Sequence, residues 1–358
     1  MKNLLDFCAL VTQVISSART TLEERDILRT RTIWRAMIVS GKRQAFGALD
    51  IPGIFWTRAV LSIFILLPFS ALAAPPKVVT SIAPVHSLAS MIMQGVGEPH
   101  LLIRGSASPH SYSLRPSDAQ ILDDADLVFW IGNSLETTLA TPLQNLAANA
   151  SIITLSRNPA LQTLTGEQPD KLSDGPISLS ANQYEHDAID MHIWLDPANA
   201  KLMINEIATE LAKTDPDNAK TYMENAAAAR KAINDLKNEI ENMLSPIKEE
   251  KFIFLHDAYR YFEQAFAITP AATMTNSPEK LPGARKIREI TDMIRQQDIG
   301  CIFSEPQFSP RLVETIVKAT GVGSGEMDPL GATIVPGPML YPDLLRTMAT
   351  AMRDCLEN

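Results

Sequence analysis

The sequence predicts an α/β protein: two lobes of βα units joined by one long rigid helix. Three observations carry that prediction. From Lys77 onward short apolar runs alternate with helical patterns, which argues for βα units around a mostly parallel sheet. The same alternation resumes in the last third of the chain, from "KFIFLHDAYRYFEQAF" onward. Between the two sets lies "PDNAKTYMENAAAARKAINDLKNEIENML", rich in Ala, Lys, Glu and Leu and without internal Gly or Pro. At 1.5 Å per residue this segment would run about 43 Å, more than one lobe needs, so it reads as a connector.

The 358 residues suffice for two domains of ordinary size, and 46% apolar with 20% charged residues marks a globular chain. The beginning is different in kind. In "TRAVLSIFILLPFSALAAPP" a basic residue, Arg58, precedes an apolar run that starts at Ala59 and ends at Ala71-Leu72-Ala73. A basic flank, a short apolar core and an A-x-A site form a secretory signal, with cleavage expected near Ala73 or Ala74. Pro68 interrupts the core, which is shorter than the roughly 20 residues of a membrane span. Residues 1–73 are therefore expected as a leader, with no insertion in the membrane once it is removed. Met37 gives a more ordinary signal than Met1, with Lys42, Arg43 and Arg58 in its basic region.

Residues 1–73 hold nine of the 32 Lys/Arg and five of the 41 Asp/Glu, which leaves the remainder with a formal charge of −13. An acidic surface disfavours nucleic acid and anionic membranes and mildly attracts cations. Cys8 goes with the leader. The two remaining cysteines, Cys301 and Cys355, read as a pair in an exported protein, with two separate buried thiols as the alternative.

Residues 74–214 make the first lobe. "KVVTSI", "HLLI" and "DLVFWIG" read as strands, while "HSLASMIMQGV" and "SDAQILDDA" read as helices. Ser117, three residues before Gln120, has the form of a capping box and is the expected helix start. Between Pro159 and Ile189 the periodicity vanishes in a polar loop. Order resumes at "HIWL". Asp196 and Pro197 are then the expected N-cap and first turn of a helix that ends before Asp215-Pro216. Residues 215–247 form the connecting helix. The second lobe, 248–358, continues with "IGCIFSEPQF", "VGSGEMDPLG" and an amphipathic C-terminal helix, "YPDLLRTMATAMRDCLEN".

Three histidines stand at comparable places: His110 after "LLIR", His192 before "IWLDP" and His256 at the end of "FIFL". Each is expected at a strand edge or a strand-to-helix turn, where ligands of open α/β sheets bind. Two fall in the first lobe and one in the second, which places a site in the cleft between lobes. Three neutral imidazoles suit Zn²⁺, with a carboxylate or water as fourth ligand. Asp328, in "GEMDPLG", is the carboxylate candidate. His86 is expected as a helix-start residue or support to the site, His100 at the surface, and Glu305 and Arg115 near the cleft as loop supports. Tyr259 and Tyr261 are expected to pack inside the lobe.

The motifs "SPHSYSLRPSD", "DMHIWLDPANA", "FLHDAYRYFE", "SEPQF" and "MDPLG" together resemble the periplasmic zinc-binding components of ABC importers, within the wider cluster of zinc and manganese receptors. The resemblance spans nearly all of residues 77–358, in order. It implies a metal held between two α/β lobes by His110, His192 and His256. Manganese-handling relatives usually carry a carboxylate where His256 stands, so the resemblance implies zinc. Cys301 and Cys355 match a disulfide of the zinc-specific branch. Two departures stand out. The loop before "MHIWL" offers only His186 where many such receptors have a run of histidines, and Pro109 stands where some have a glutamate before the first ligand.

The function so implied is capture of Zn²⁺ in the periplasm by a monomer and delivery to an ABC permease. No G-x-x-x-x-G-K-[ST] motif is present, so ATP would be hydrolysed by another subunit. The alternatives are a manganese or mixed-metal receptor of the same architecture and a zinc hydrolase. The chain has no H-E-x-x-H helix to supply the general base of the latter, and it is read as a binding protein, not an enzyme.

Overall fold

The computed structural model describes residues 74–165, 189–275 and 282–357. The expected leader, Met37 and His186 lie outside them.

Each lobe contains one four-stranded parallel sheet. In the first, β1 (Val78–Thr80), β2 (His100–Leu101), β3 (Leu127–Trp130) and β4 (Ser151–Thr154) run in the order β2-β1-β3-β4. In the second, β5 (Phe252–His256), β6 (Ala272–Thr275), β7 (Cys301–Ser304) and β8 (Gly323–Glu326) run in the order β6-β5-β7-β8. The two orders are the same. In both, the chain turns outward from its first strand, then crosses back to the other side, and the loops at the carboxyl ends of the two central strands flank the crevice where such sheets bind ligands. The central strands read as unbroken apolar runs because helices cover both faces: every residue of β3 and of β5 is buried.

Helices α1 (Ala83–Ile92), α2 (Pro116–Asp123) and α3 (Ala140–Leu146) serve the first sheet. Helix α2 begins two residues earlier than expected. Pro116 takes the first helical position, Arg115 is the N-cap, and Asp118 rather than a serine closes the end by accepting from the Arg115 N–H at 3.2 Å. Helix α4 (Pro197–Thr214) starts as expected, with Asp196 accepting from the Ala198 N–H at 2.7 Å. The long helix α5 (Ala219–Leu244) has 26 residues and buries one stripe, Tyr222, Ala226, Ala229, Ile233, Leu236, Ile240 and Leu244, at spacings of three and four.

In the second lobe, α6 (Arg260–Phe266), α7 (Ala284–Gln297) and α8 (Arg311–Thr320) precede the C-terminal helix α9 (Leu340–Leu356). Strand β5 shows how the sheet divides two cores. Phe252 and Phe254 join the main core, which runs through both lobes, whereas Ile253 and Leu255 join a smaller one beneath α7 and α8. Helix α9 packs against α1, α5 and β8. Cys355 near its end is bonded to Cys301 of β7, with a Cα separation of 6.1 Å. Gly323 in β8 makes this approach possible: a Cβ there would stand 2.9 Å from the Gly300 carbonyl oxygen and 3.2 Å from Cys355 Sγ.

Candidate metal centre

His256 is the last residue of β5, so the burial that makes the strand apolar also buries its imidazole, which is only 3% exposed. His110 stands in the loop between β2 and α2, whose shape is set by side chains: Thr137 Oγ1 donates to the His110 carbonyl oxygen at 3.1 Å, and Thr138 Oγ1 donates to that of Tyr112. His192 departs from the expected strand edge. It precedes a 3₁₀ turn, Ile193–Leu195, because the three following residues dock into the core as one compact turn and the chain at once enters α4.

The structure brings these three histidines together. One nitrogen of each lies within 4.8 Å of the others. The ring centroids are 5.9 Å apart for His110 and His192, 6.0 Å for His110 and His256, and 5.3 Å for His192 and His256. They face a narrow cavity walled by Pro109, Trp194, Glu305, Gln307, Phe308 and Leu330. Trp194 also ties the lobes, since its indole N–H donates to the Pro329 carbonyl oxygen at 2.8 Å and its own carbonyl accepts from the Tyr341 hydroxyl at 2.8 Å.

Two of the three histidines have a carboxylate at Nδ1. Asp190 Oδ1 accepts from both the His192 backbone N–H, at 3.0 Å, and its Nδ1, at 2.8 Å. That bond makes Nδ1 the protonated nitrogen and leaves Nε2 as the free donor toward a metal. Burial alone would lower the pKa of His192, but the charge and hydrogen bond of Asp190, helped by the charges of Glu305 and Asp257, outweigh it and the net shift is upward. Glu305 Oε1 lies 3.3 Å from His256 Nδ1. Glu305 thus lines the cavity itself, close to where the sequence placed it as a loop support. Asp190 was missed altogether. Its signal is the Asp-x-His spacing, which lets a short carboxylate fold back onto the N–H two residues on.

Asp328 is not brought into the cluster. Its carboxylate is used to close the turn after β8, where Oδ1 accepts from the Leu330 N–H at 3.0 Å and from Gln307 Nε2 at 2.8 Å, and Oδ2 accepts from the Ala332 N–H at 2.5 Å. His86 also stands apart, as the fourth residue of α1, with Nε2 3.1 Å from the Pro99 carbonyl oxygen. Burial lowers its pKa, which keeps it neutral. His100 is half-buried beside the Arg104 guanidinium, 2.9 Å from its Nε2. Tyr259 and Tyr261 pack inside as expected, and both hydroxyls reach across to carbonyls, of Met327 at 3.0 Å and of Asp190 at 2.8 Å.

Two parallel-sheet lobes sharing one core, with three imidazoles converging in the cleft between them, define the class of two-lobed metal-receptor proteins. The chain belongs to a particular family within it, the zinc-uptake complex component A periplasmic family, whose model matches residues 78–355. It is 40% identical over 306 residues to the high-affinity zinc uptake system protein ZnuA of Brucella suis, covering 78% of this chain and 92% of that one. It is 34% identical to the protein of the same name from Yersinia pestis, covering 84% and 97%. Among solved structures, one described as ZnuA with residues 138–173 deleted and zinc bound aligns with a TM-score of 0.65 at 25% identity, covering 79% of this chain and 98% of that one. A manganese-bound receptor, FpvC of Pseudomonas aeruginosa, has the same fold with a TM-score of 0.66 at 21% identity, covering 79% and 98%.

Proposed function

We propose that the chain captures Zn²⁺ in the periplasm through His110, His192 and His256 and delivers it to the membrane permease of an ABC importer. The observation that carries this reading is the convergence of three imidazole nitrogens, from both lobes, within 4.8 Å. Zinc bonds to nitrogen at about 2.0–2.1 Å in tetrahedral sites, which requires donors roughly 3.4 Å apart. Small rotations of the imidazoles supply the difference. Residues 1–73 act as the export leader, and the mature protein works as a monomer without turning over a substrate of its own. The relatives named above are zinc uptake proteins, which supports the choice of cargo.

On this reading the fourth ligand is Glu305 or a water rather than Asp328, because Glu305 lines the cavity of the three histidines while Asp328 lies outside it and closes the turn after β8. Glu305 also favours a second reading, a receptor that accepts manganese as well, since an oxygen donor suits the harder ion. Metal analysis of the purified mature protein, followed by competition between zinc and manganese at buffered free concentrations, decides the matter. Retention of one zinc per chain against excess manganese supports the zinc reading, and preferential retention of manganese overturns it.

A further inference from the structure

Tyr261 is the second residue of α6 and five residues beyond His256, yet its hydroxyl is spent on the other lobe. It accepts from the Leu164 N–H at 3.0 Å and donates to the Asp190 carbonyl oxygen at 2.8 Å. The side chain is 2% exposed, so both bonds are made away from water. Leu164 and Asp190 are themselves joined, since the Asp190 N–H donates to the Leu164 carbonyl oxygen at 2.9 Å, and the next pair, Thr165 and Ile189, forms an antiparallel bridge. The phenol oxygen thus sits where two strands of chain are clasped, holding one by its N–H and the other by its carbonyl.

Asp190 is the residue whose carboxylate grips both the backbone N–H and Nδ1 of His192. With its N–H on Leu164, its carbonyl on Tyr261 and one oxygen on His192, Asp190 has little freedom left. We propose that Tyr261 is a positioning residue for the metal centre: by fixing the Asp190 backbone it fixes the carboxylate that orients His192. The helix that begins just after one lobe's histidine thereby sets the direction of the other lobe's. This rests on the reading that the three histidines hold the metal. Partners behind a ligand histidine fix its tautomer and orientation, and their loss typically costs ten- to a hundredfold in affinity.

Tyr261→Phe removes only the oxygen. Zinc affinity, measured against a chelator of known strength, is expected to fall about tenfold. The ligand-field spectrum of the cobalt-loaded protein and the imidazole nitrogen shifts of His192 are expected to change with it. Asp190→Asn should weaken binding at least as much, and adding Tyr261→Phe to it should change little more, because both act through one bond. Tyr222→Phe serves as control: it removes a buried hydroxyl bonded to Asp215 at 2.7 Å, a pair that does not line the cavity of the histidines, and should lower thermal stability with the cobalt spectrum unchanged. An unaltered cobalt spectrum and affinity in Tyr261→Phe, or fully additive losses in the double variant, would overturn the inference. Failure of the underlying reading looks different, because wild-type protein would then bind zinc no better than His256→Ala.

Discussion

Glu305 Oε1 lies 3.3 Å from His256 Nδ1, and both side chains are almost wholly buried. Neither atom has a partner in hydrogen-bonding geometry among the described residues. A carboxylate so placed is costly to keep unless a cation or a proton donor offsets its charge. A metal on the three imidazoles would do so, either through direct contact or across the His256 ring that lies between it and the carboxylate. Glu305→Gln keeps the shape and removes the charge, so zinc affinity should drop by roughly ten- to a hundredfold. Asp328→Ala should instead loosen the turn after β8 and leave the cobalt spectrum of the site as it was. A changed spectrum in Asp328→Ala with none in Glu305→Gln would reverse these assignments.

The histidines themselves should separate cleanly into two groups. Replacing His110, His192 or His256 with alanine is expected to weaken zinc binding by more than the tenfold scale of outer partners. His86→Ala, which touches the Pro99 carbonyl oxygen and not the cavity, should leave affinity within a few fold. Titration calorimetry on the four variants makes the comparison, and a loss at His86 equal to that at His256 would count against the site.

How much of this could be read from sequence depends on which physical signal each feature leaves. Strands β1, β3, β5 and β7 were legible because central parallel strands must be apolar throughout, and the amphipathic stripes of α5 and α9 because burial on one side imposes a period. The three histidines were legible from their motifs. The place of Glu305 at the cavity was not, because Glu305 and Asp328 both follow a strand of the second lobe. Strand order accounts for it: β7 lies next to β5, which ends in His256, whereas β8 is one strand farther out, about 4.8 Å more. No local pattern encodes that order. The start of α2 was misplaced for a local reason, since Pro116 can open a helix without a serine cap and a carboxylate at the third position completes it.

Acid should release the metal, beginning above the pH of a free imidazole. Asp190 raises the pKa of His192, so protons compete for it from above pH 6.5 downward. In the metal-free protein the same shift works in the opposite sense: its contribution to stability is fully present below the unfolded value and is lost as pH rises through the raised one. Zinc affinity measured from pH 8 to 5 should therefore fall while this contribution to apo stability grows. In Asp190→Asn the onset of the affinity loss should move to lower pH. An onset unaffected by that change would show that His192 is not the group protonated.

The Cys301–Cys355 bond closes a loop of 54 residues, for which the chain-entropy model gives about 4 kcal/mol. It ties α9 to β7, on the side of the sheet away from the carboxyl ends that carry the site. Reduction should lower the melting temperature by several degrees and leave one zinc bound per chain. Calorimetric melts with and without reductant, each with metal analysis, test both halves, and loss of zinc on reduction at a temperature where the protein stays folded would refute the separation.

Glu136 supplies the last test, because it is a fully buried carboxylate between the two central strands of the first lobe and supports the His110 loop from behind. Its Oε1 accepts from the Ser81 hydroxyl at 2.5 Å and the Ile131 N–H at 3.1 Å, and its Oε2 accepts from the Gly132 N–H at 2.8 Å. Ser81 follows β1 and Gly132 follows β3, so the carboxylate joins the ends of the two central strands, while the next two residues, Thr137 and Thr138, hold the His110 and Tyr112 carbonyls. Burial pushes its pKa up to about 7, against the pull of those three donors. A folded-state pKa above the unfolded one means that the contribution is most favourable below about pH 4.5 and is lost as pH rises through 7. The full swing is of the order of 3 kcal/mol. Glu136→Gln has no proton to lose, but its amide nitrogen cannot accept from an N–H. The variant should accordingly be less stable than wild type at pH 5 and recover much of the difference by pH 8, as urea melts of the metal-free protein would show. Its zinc affinity should fall at both pH values, because Thr137 and Thr138 lose the anchor that sets the His110 loop. A stability difference that does not vary between pH 5 and 8 would mean that Glu136 stays charged throughout, held by its donors more strongly than burial opposes it.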